Sequence, residues 1–177
     1  PQEARRLLAE AGFSKAFKTQ LTVTSGLGPD LVDVAQLVQR FLKDVGIDAE
    51  LKIQEYGAYV ATTVQGKFEG LARSPMGVVW EPDGRLYRAY ASDSSRNVGH
   101  VDDATLTAIL KAQRRTKELE ARKQLIFAIQ RYVAEQQYYV YQNANTVTTS
   151  WQPYVKNFAP NHSFDYGNRA AALWLER

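Results

Sequence analysis

Cysteine is absent from the 177 residues, which excludes disulfides, thiolate nucleophiles and most structural zinc sites together. A thiol-free chain suits an oxidising compartment as well as a reducing one, so composition leaves the compartment open. No apolar run approaches the ~20 residues of a membrane-spanning helix, and the N-terminus has no signal-peptide pattern. The opening stretch PQEARRLLAEAGF is helical in pattern from its first residues, as expected of a chain that begins inside a larger protein. Histidine occurs only as His100 and His162, and neither sits in a nucleophile–base motif. Asp165 lies close to His162 in sequence, but the third ligand that a metal site needs is missing. GLGPD has too few glycines to cradle a phosphate, and Pro29 removes an N–H that a cradle would use. An excess of one charge is missing too: 22 Lys and Arg stand against 19 Asp and Glu, a net +3, with the bases spread along helices beside acids. Nucleic acid is therefore not an expected partner. The adjacent acids Asp102/Asp103, and the pair Glu118/Glu120, fall at helix starts, where carboxylates favour the dipole. No catalytic residue, metal or cofactor is expected, and the chain is read as not an enzyme.

What remains is ordinary globular material. Apolar residues make up 45% and charged residues 23%, and the length suits one domain with one core. Pro1 opens a helix whose apolar stripe is Ala4, Leu7, Leu8 and Ala11, closed by Gly12. In TQLTVTS, Leu21 and Val23 alternate with threonines, a strand that ends at the Gly26, Gly28, Pro29 turn cluster. DLVDVAQLVQRFLKDVG sets Leu31, Val34, Val38, Phe41 and Val45 at helical spacing, widened by Ala35 and Leu42 and ended by Gly46. IDAELKIQ then switches to a period of two, with Ile47, Ala49, Leu51 and Ile53 on one face. Strand, helix and strand in that order predict a βαβ unit with parallel strands. A short helix packed by Tyr59, Val60 and Val64 is expected over 57–66, a third strand over 68–72 and a weak helix over 85–91. SDSSRNVGH reads as a polar loop. Asp102 or Asp103 caps one later helix and Thr116 the next, which carries Leu119, Ile126, Ile129 and Val133 and an exposed Glu118–Arg122 pair. YYVYQNANTVTTSW reads as a strand or hairpin and ALWLER as a terminal strand. The fold class is α/β, with a mixed, mainly parallel sheet flanked by helices.

Several of these stretches, in order, resemble the family 5 extracytoplasmic solute-binding proteins of ABC importers, which include dipeptide, oligopeptide and nickel binders. PQEARRLLAEAGF is similar to that family's helix ending in LL-x-EAG-[FY]. AQLVQRFLKDVGIDAELKIQEYGAY resembles its helix-to-strand passage, and FEGLARSPMGVVWEPDG its strand and loop ending near a DP pair. RNVGHVDDATLTAIL resembles its Asn- and Asp-containing polar region. ARKQLIFAIQRYVAEQQYYVYQNANTVTTSWQPYVKNF is similar to its long helix, following strand and P-x-V-K-x-[FY] segment. The resemblance covers nearly the whole chain but only the C-terminal third of a family member. It implies a type II periplasmic-binding-protein-like lobe over 1–160, with the N-terminal lobe absent, and a segment 161–177 that returns toward that other lobe. It also implies a periplasmic or extracellular protein, anchored or free, that captures a peptide or other small solute between two lobes and delivers it to ABC permease subunits.

The stretch after the third strand bears the expected site. Ligands of open α/β sheets bind beyond the carboxyl ends of strands. Arg73 stands at such an end, where a guanidinium meets an acidic ligand group or a carboxylate of the opposing lobe, or else is a solvated surface arginine. The resemblance places a peptide binder's ammonium-pairing Asp at Val78, which cannot pair with a cation; Glu81 or Asp83 takes that place if the register is shifted. Met76, Val78 and Trp80 form an adaptable apolar wall with an aromatic plate, or else core under the loop. Asn97, Tyr141 and Gln142 are added by their match to cleft-facing positions. The alternative function is a stand-alone α/β interaction or regulatory domain that uses exposed aromatics, with Trp80, Tyr87 and Tyr90 as anchors.

Overall fold

The computed structural model describes residues 1–13, 15–75, 79, 81–142, 150–158 and 172–176. The chain divides into two compact units, Pro1–Pro75 and Met76–Arg177. Each has its own buried apolar cluster, so the single core expected from length becomes two.

The first unit contains α1 (Gln2–Glu10), β1 (Phe17–Thr24), α2 (Pro29–Asp44), β2 (Ile47–Gln54), α3 (Tyr56–Ala61), a 3-10 turn (Thr63–Gln65) and β3 (Leu71–Ala72). β1 is the central strand, in the order β2-β1-β3, and both pairings are parallel. The expected βαβ unit is present, with β1 and β2 in step from Phe17 opposite Ile47 to Thr24 opposite Gln54. Gly46 makes the switch from helix to strand at φ 97°, a left-handed turn that a side chain would strain. Leu21, Val23, Leu31, Ala35 and Ala49 form the core, bordered by Val32, Val38, Leu42 and Leu51.

Three expectations change here. β1 does not alternate between buried and exposed, because Leu21, Thr22, Val23 and Thr24 are all buried, as befits a central parallel strand. The buried side of α2 runs through Leu31, Ala35, Val38 and Leu42, while Phe41 is exposed. The third strand shortens from 68–72 to the two residues Leu71–Ala72, and of the short helix's expected packing residues Tyr59 is buried and Val60 exposed.

The second unit contains α4 (Asp83–Tyr90), α5 (Ala104–Arg115), α6 (Leu119–Gln136), β4 (Val155–Lys156) and β5 (Trp174–Leu175). Leu86, Ala89, Tyr90, Val101, Leu106, Leu110, Ile129 and Val133 are buried together, with half-buried Tyr132, Tyr138 and Tyr139 against them. The expected terminal strand is β5, antiparallel to β4. Tyr138 to Gln142 form no strand, and the rest of the expected hairpin, residues 143–149, lies outside the described residues. The cap of α6 is Glu118 rather than Thr116: its carboxylate accepts from Glu120 N at 3.1 Å and Ala121 N at 2.7 Å. Thr116 ends α5 instead and donates to Ala112 O. Arg122 makes no helical pair with Glu118; it reaches Gln113 and Glu81, because a tertiary carboxylate competes with the local one.

Asp103 is the cap of α5, accepting from Leu106 N at 2.8 Å, and its second oxygen accepts from Tyr138 Oη at 2.6 Å and Tyr132 Oη at 2.8 Å. These bonds, that from Tyr138 foremost, hold the Asp103 carboxyl below the usual range. The same carboxylate pushes the Tyr138 phenol up to about 12. Asp103→Ala is expected to lose about 2 kcal/mol at neutral pH, since a cap and two hydrogen bonds to a carboxylate go together. A lowered carboxyl stabilises the fold above its unfolded value of about 4, and a raised phenol does so below its unfolded value of about 10. The wild-type advantage is therefore flat between those values. It shrinks as pH falls through the carboxyl's lowered value and as it rises toward about 12. Urea denaturation of both proteins across this pH range checks it.

Candidate functional site

The three parallel strands of the first unit end on one rim, and one short segment, residues 56–63, holds all three exits. At the β1 exit Thr24, fully buried, accepts Gly26 N–H on its hydroxyl at 3.1 Å. Gly26 lies so close to α3 that a Cβ there would sit 2.5 Å from Tyr56 Cβ. At the β2 exit Thr63 Oγ1 donates to Gln54 Oε1 at 2.6 Å, and Glu55 caps α3 by accepting from Gly57 N at 2.8 Å and Ala58 N at 3.0 Å. Those two N–H groups, Gly57 first, hold the Glu55 carboxyl below its ordinary range. At the β3 exit Arg73 N donates to Thr22 O at 2.8 Å, extending the ladder by one residue, and Tyr59 Oη donates to Arg73 O at 2.8 Å. The rim is thus built from side-chain bonds, local ones from Thr24 and Glu55 and longer ones from Thr63 to Gln54 and from Tyr59 to Arg73.

Arg73 itself is half-buried, with Nη1 shielded from solvent. A shallow polar groove lies along β1 and β2, lined by Gln20, Thr22, Lys52, Gln54, Lys67, Phe68 and Glu69; none of the residues singled out from sequence lines it among the described residues. Met76, Val78 and Trp80 lie outside the described residues, and Val79 between them is exposed.

In the second unit the acids of the Glu81-Pro82-Asp83 turn are engaged. Asp83 takes both Arg114 Nε and Nη2 at 2.8 to 2.9 Å and also Gln113 Nε2, while Glu81 takes Arg122. Gln113 is fully buried and accepts Arg122 Nε at 3.1 Å, which closes the network. The Arg114 guanidinium lies over the Tyr87 ring, 3.5 Å from its centroid. Asp83 is mostly covered by these partners, whereas the Glu81 side chain stays about half exposed.

Asn97 turns both amide atoms onto Val101: Nδ2 donates to its carbonyl at 2.7 Å and Oδ1 accepts its N–H at 3.0 Å. Tyr139 Oη accepts Gly99 N–H at 3.1 Å, and its ring stacks on that of Tyr141. Tyr141 is exposed yet shares a hydroxyl–hydroxyl hydrogen bond with buried Tyr90; Gln142 is exposed beside it. Tyr141 thus belongs to an aromatic cluster with Tyr139 and Tyr90, while the Asn97 amide bonds the backbone of Val101. Tyr90 is a core residue and cannot serve as a docking anchor, and Tyr87 is half-buried beneath Arg114 and donates to Asp93. Sequence reasoning missed Tyr59, Gln113 and Arg114, whose partners lie 14 to 31 residues away. Among the described residues no three His, Cys, Asp or Glu are placed to hold a metal, and no helix is long and apolar enough to cross a membrane.

The model of bacterial extracellular solute-binding proteins, family 5 Middle, matches residues 1–97. The chain belongs to this family. As a family 5 solute-binding protein it is 27% identical over 141 residues to Di/tripeptide-binding protein 3 of Pseudomonas aeruginosa (strain UCBPP-PA14), covering 77% of this chain and 26% of that protein. Two solved structures share its fold. One is the ABC transporter-associated periplasmic binding protein DppA from Helicobacter pylori in complex with peptide STSA, with TM-score 0.76, 22% identity, and 99% of this chain and 34% of that one covered. The other is a dipeptide binding protein from Pseudoalteromonas sp. SM9913 in complex with Met-Leu, with TM-score 0.67, 21% identity, and 78% and 28% covered. The α/β class expected from sequence is therefore that of the periplasmic binding proteins. The chain spans 26% of the length of the first curated relative it matches.

Proposed function

We propose that this chain is the C-terminal lobe, residues 1–160, of the substrate-binding component of an ABC importer. Its rim of strand exits forms one wall of a cleft that takes a peptide or other small solute. An N-terminal lobe supplies the other wall, residues 161–177 return toward it, and the closed protein delivers its cargo to permease subunits outside the cytoplasm, as a free or anchored protein. The work is recognition without reaction, with binding energy driving closure of the lobes. The observation that carries this reading is the rim itself, three parallel strand ends locked by Thr24, Thr63 and Tyr59 within a chain of family 5.

Arg73, with Met76, Val78 and Trp80, faces the ligand in this reading, and Asn97, Tyr141 and Gln142 complete the wall. Because Glu81 and Asp83 already pair with Arg122, Arg114 and Gln113, a cationic ligand group in that turn competes with arginines for them. A buried ammonium without a counter-charge costs several kcal/mol, about enough to exclude a strongly cationic ligand from this wall. The guanidinium of Arg73 suits the ligand's acidic end.

Titration calorimetry on the full protein that carries this segment, against di- and tripeptides, tests the reading. Tight binding is expected, with Arg73→Gln weakening it about tenfold, the loss of one charge-assisted contact. A folded protein that binds no member of the panel overturns it.

A further inference from the structure

Both backbone groups of Arg73 are tied, each to a different element. Its N–H donates to Thr22 of the central strand and its carbonyl accepts Tyr59 Oη from α3, each at 2.8 Å. The base of the side chain is thereby fixed in direction. Nη1 of its guanidinium is shielded from solvent.

Tyr59 is fully buried, and its ring would fill the same space as phenylalanine. The hydroxyl therefore has its consequence through its partner, since a buried phenol must find one. The partner is a carbonyl 14 residues on, at the mouth of the sheet, past the last paired residue of β3. Burial pushes the Tyr59 phenol up, with the Ser74 hydroxyl and the Arg73 charge opposing, so the donor stays protonated through neutral pH. α3, which bears Tyr59, follows β2 after one residue, so the bond also ties the β2 exit to the β3 exit across β1.

We infer that Tyr59 is a positioning residue: its hydroxyl holds the Arg73 end of β3 in the direction that meets the acidic group of the ligand. This rests on the solute-binding reading above and adds to it a residue that touches no ligand. Long charged side chains lose much rotamer freedom on binding, and fixing the backbone beneath one lowers that loss beforehand. Removing the hydroxyl leaves Arg73 charged and present but no longer pre-aimed.

The test uses the full protein and one peptide in two forms, with a free C-terminal carboxylate and as the amide. Tyr59→Phe is expected to weaken binding of the free acid about fivefold, the size of one hydrogen bond's net effect, and to leave the amide unchanged. In a double-mutant cycle with Arg73→Gln the two losses are expected not to add, because both act through one guanidinium. Ile129→Val, in the core of the second unit, serves as the comparison for plain destabilisation and is expected to keep the ratio of free-acid to amide affinity; melting temperatures establish that all variants are folded at the titration temperature. If Tyr59→Phe keeps the wild-type ratio, or weakens both forms equally, Tyr59 is only structural and the inference fails while the peptide-binding reading stands. If the wild type binds neither form nor any other peptide, both fail.

Discussion

Tyr90→Ala is expected to cost about 4 kcal/mol, the range for removing a fully buried aromatic ring. Tyr90 is completely buried on α4, among Leu86, Leu106, Leu110 and Ile129. Its ring meets Tyr139 edge-on at 5.3 Å between centroids and Tyr138 at 6.4 Å, so truncation leaves a cavity with two unsupported rings. Tyr90→Phe keeps the ring and loses only the hydroxyl that faces Tyr141; since Tyr141 is exposed, water takes the vacated partner and about 1 kcal/mol is expected. Burial, then the Tyr141 hydroxyl, pushes the Tyr90 phenol strongly up, so neither difference changes across neutral pH. Hydrogen exchange at the amides of Leu106 and Leu110, which share this core, reads the change directly. If Tyr90→Ala exchanges as slowly there as the wild type, the second unit is not organised around this ring.

The elements most legible in sequence were those whose signal is local. The passage from α2 to β2 was readable because the period changes across Gly46, and a positive φ is what that glycine supplies. The α/β class followed from it, since a helix between two in-step strands forces parallel pairing. What local pattern misjudged was degree of burial and choice of partner. The alternation of Leu21 and Val23 with threonines suggested a half-exposed strand, yet β1 is central, and Thr22 and Thr24 are as buried as their apolar neighbours. A threonine tolerates this when its hydroxyl has a local partner, as Thr24 has in Gly26 N–H. Glu118 and Arg122 have the spacing of a helical ion pair, but Glu118 is better used on the free N–H groups at the helix start and Arg122 on Glu81 and Gln113.

The site divides along the same line. Its proposed place at the carboxyl ends of strands follows from topology alone, and Arg73 stands there, one residue beyond β3. The Asn97 amide is bonded to the backbone of Val101, a turn motif that its place four residues before that valine allows. Tyr59 could not be singled out, because nothing in the residues around it indicates a carbonyl on another strand.

Gly70→Ala is expected to cost about 3 kcal/mol, combining a left-handed backbone that alanine resists with overpacking against an unyielding neighbour. Gly70 precedes β3 with φ 66°, and a Cβ there would lie 2.7 Å from Gln20 O and 3.0 Å from Gln20 N. Those atoms belong to the central strand, where Gln20 is in register with Glu50 of β2, so β1 cannot give way. β3 has to move instead, and it is held by the pairs Leu21–Leu71 and Thr22–Ala72, the bond from Arg73 N to Thr22 O and the bond from Tyr59 Oη to Arg73 O. Gly84→Ala is the control: in α4 its added methyl meets nothing within 4 Å, so the better helix former should stabilise by about 0.5 kcal/mol or more. Opposite shifts of the urea midpoint in the two variants are the expected result. Displacement of β3 also displaces Arg73, so under the proposed solute-binding function the full protein carrying the Gly70 variant should bind peptide more weakly even at temperatures where it is fully folded, whereas the Gly84 variant should not. A Gly70 variant as stable as the wild type would mean that β3 does not approach β1 closely enough to fix the third strand exit.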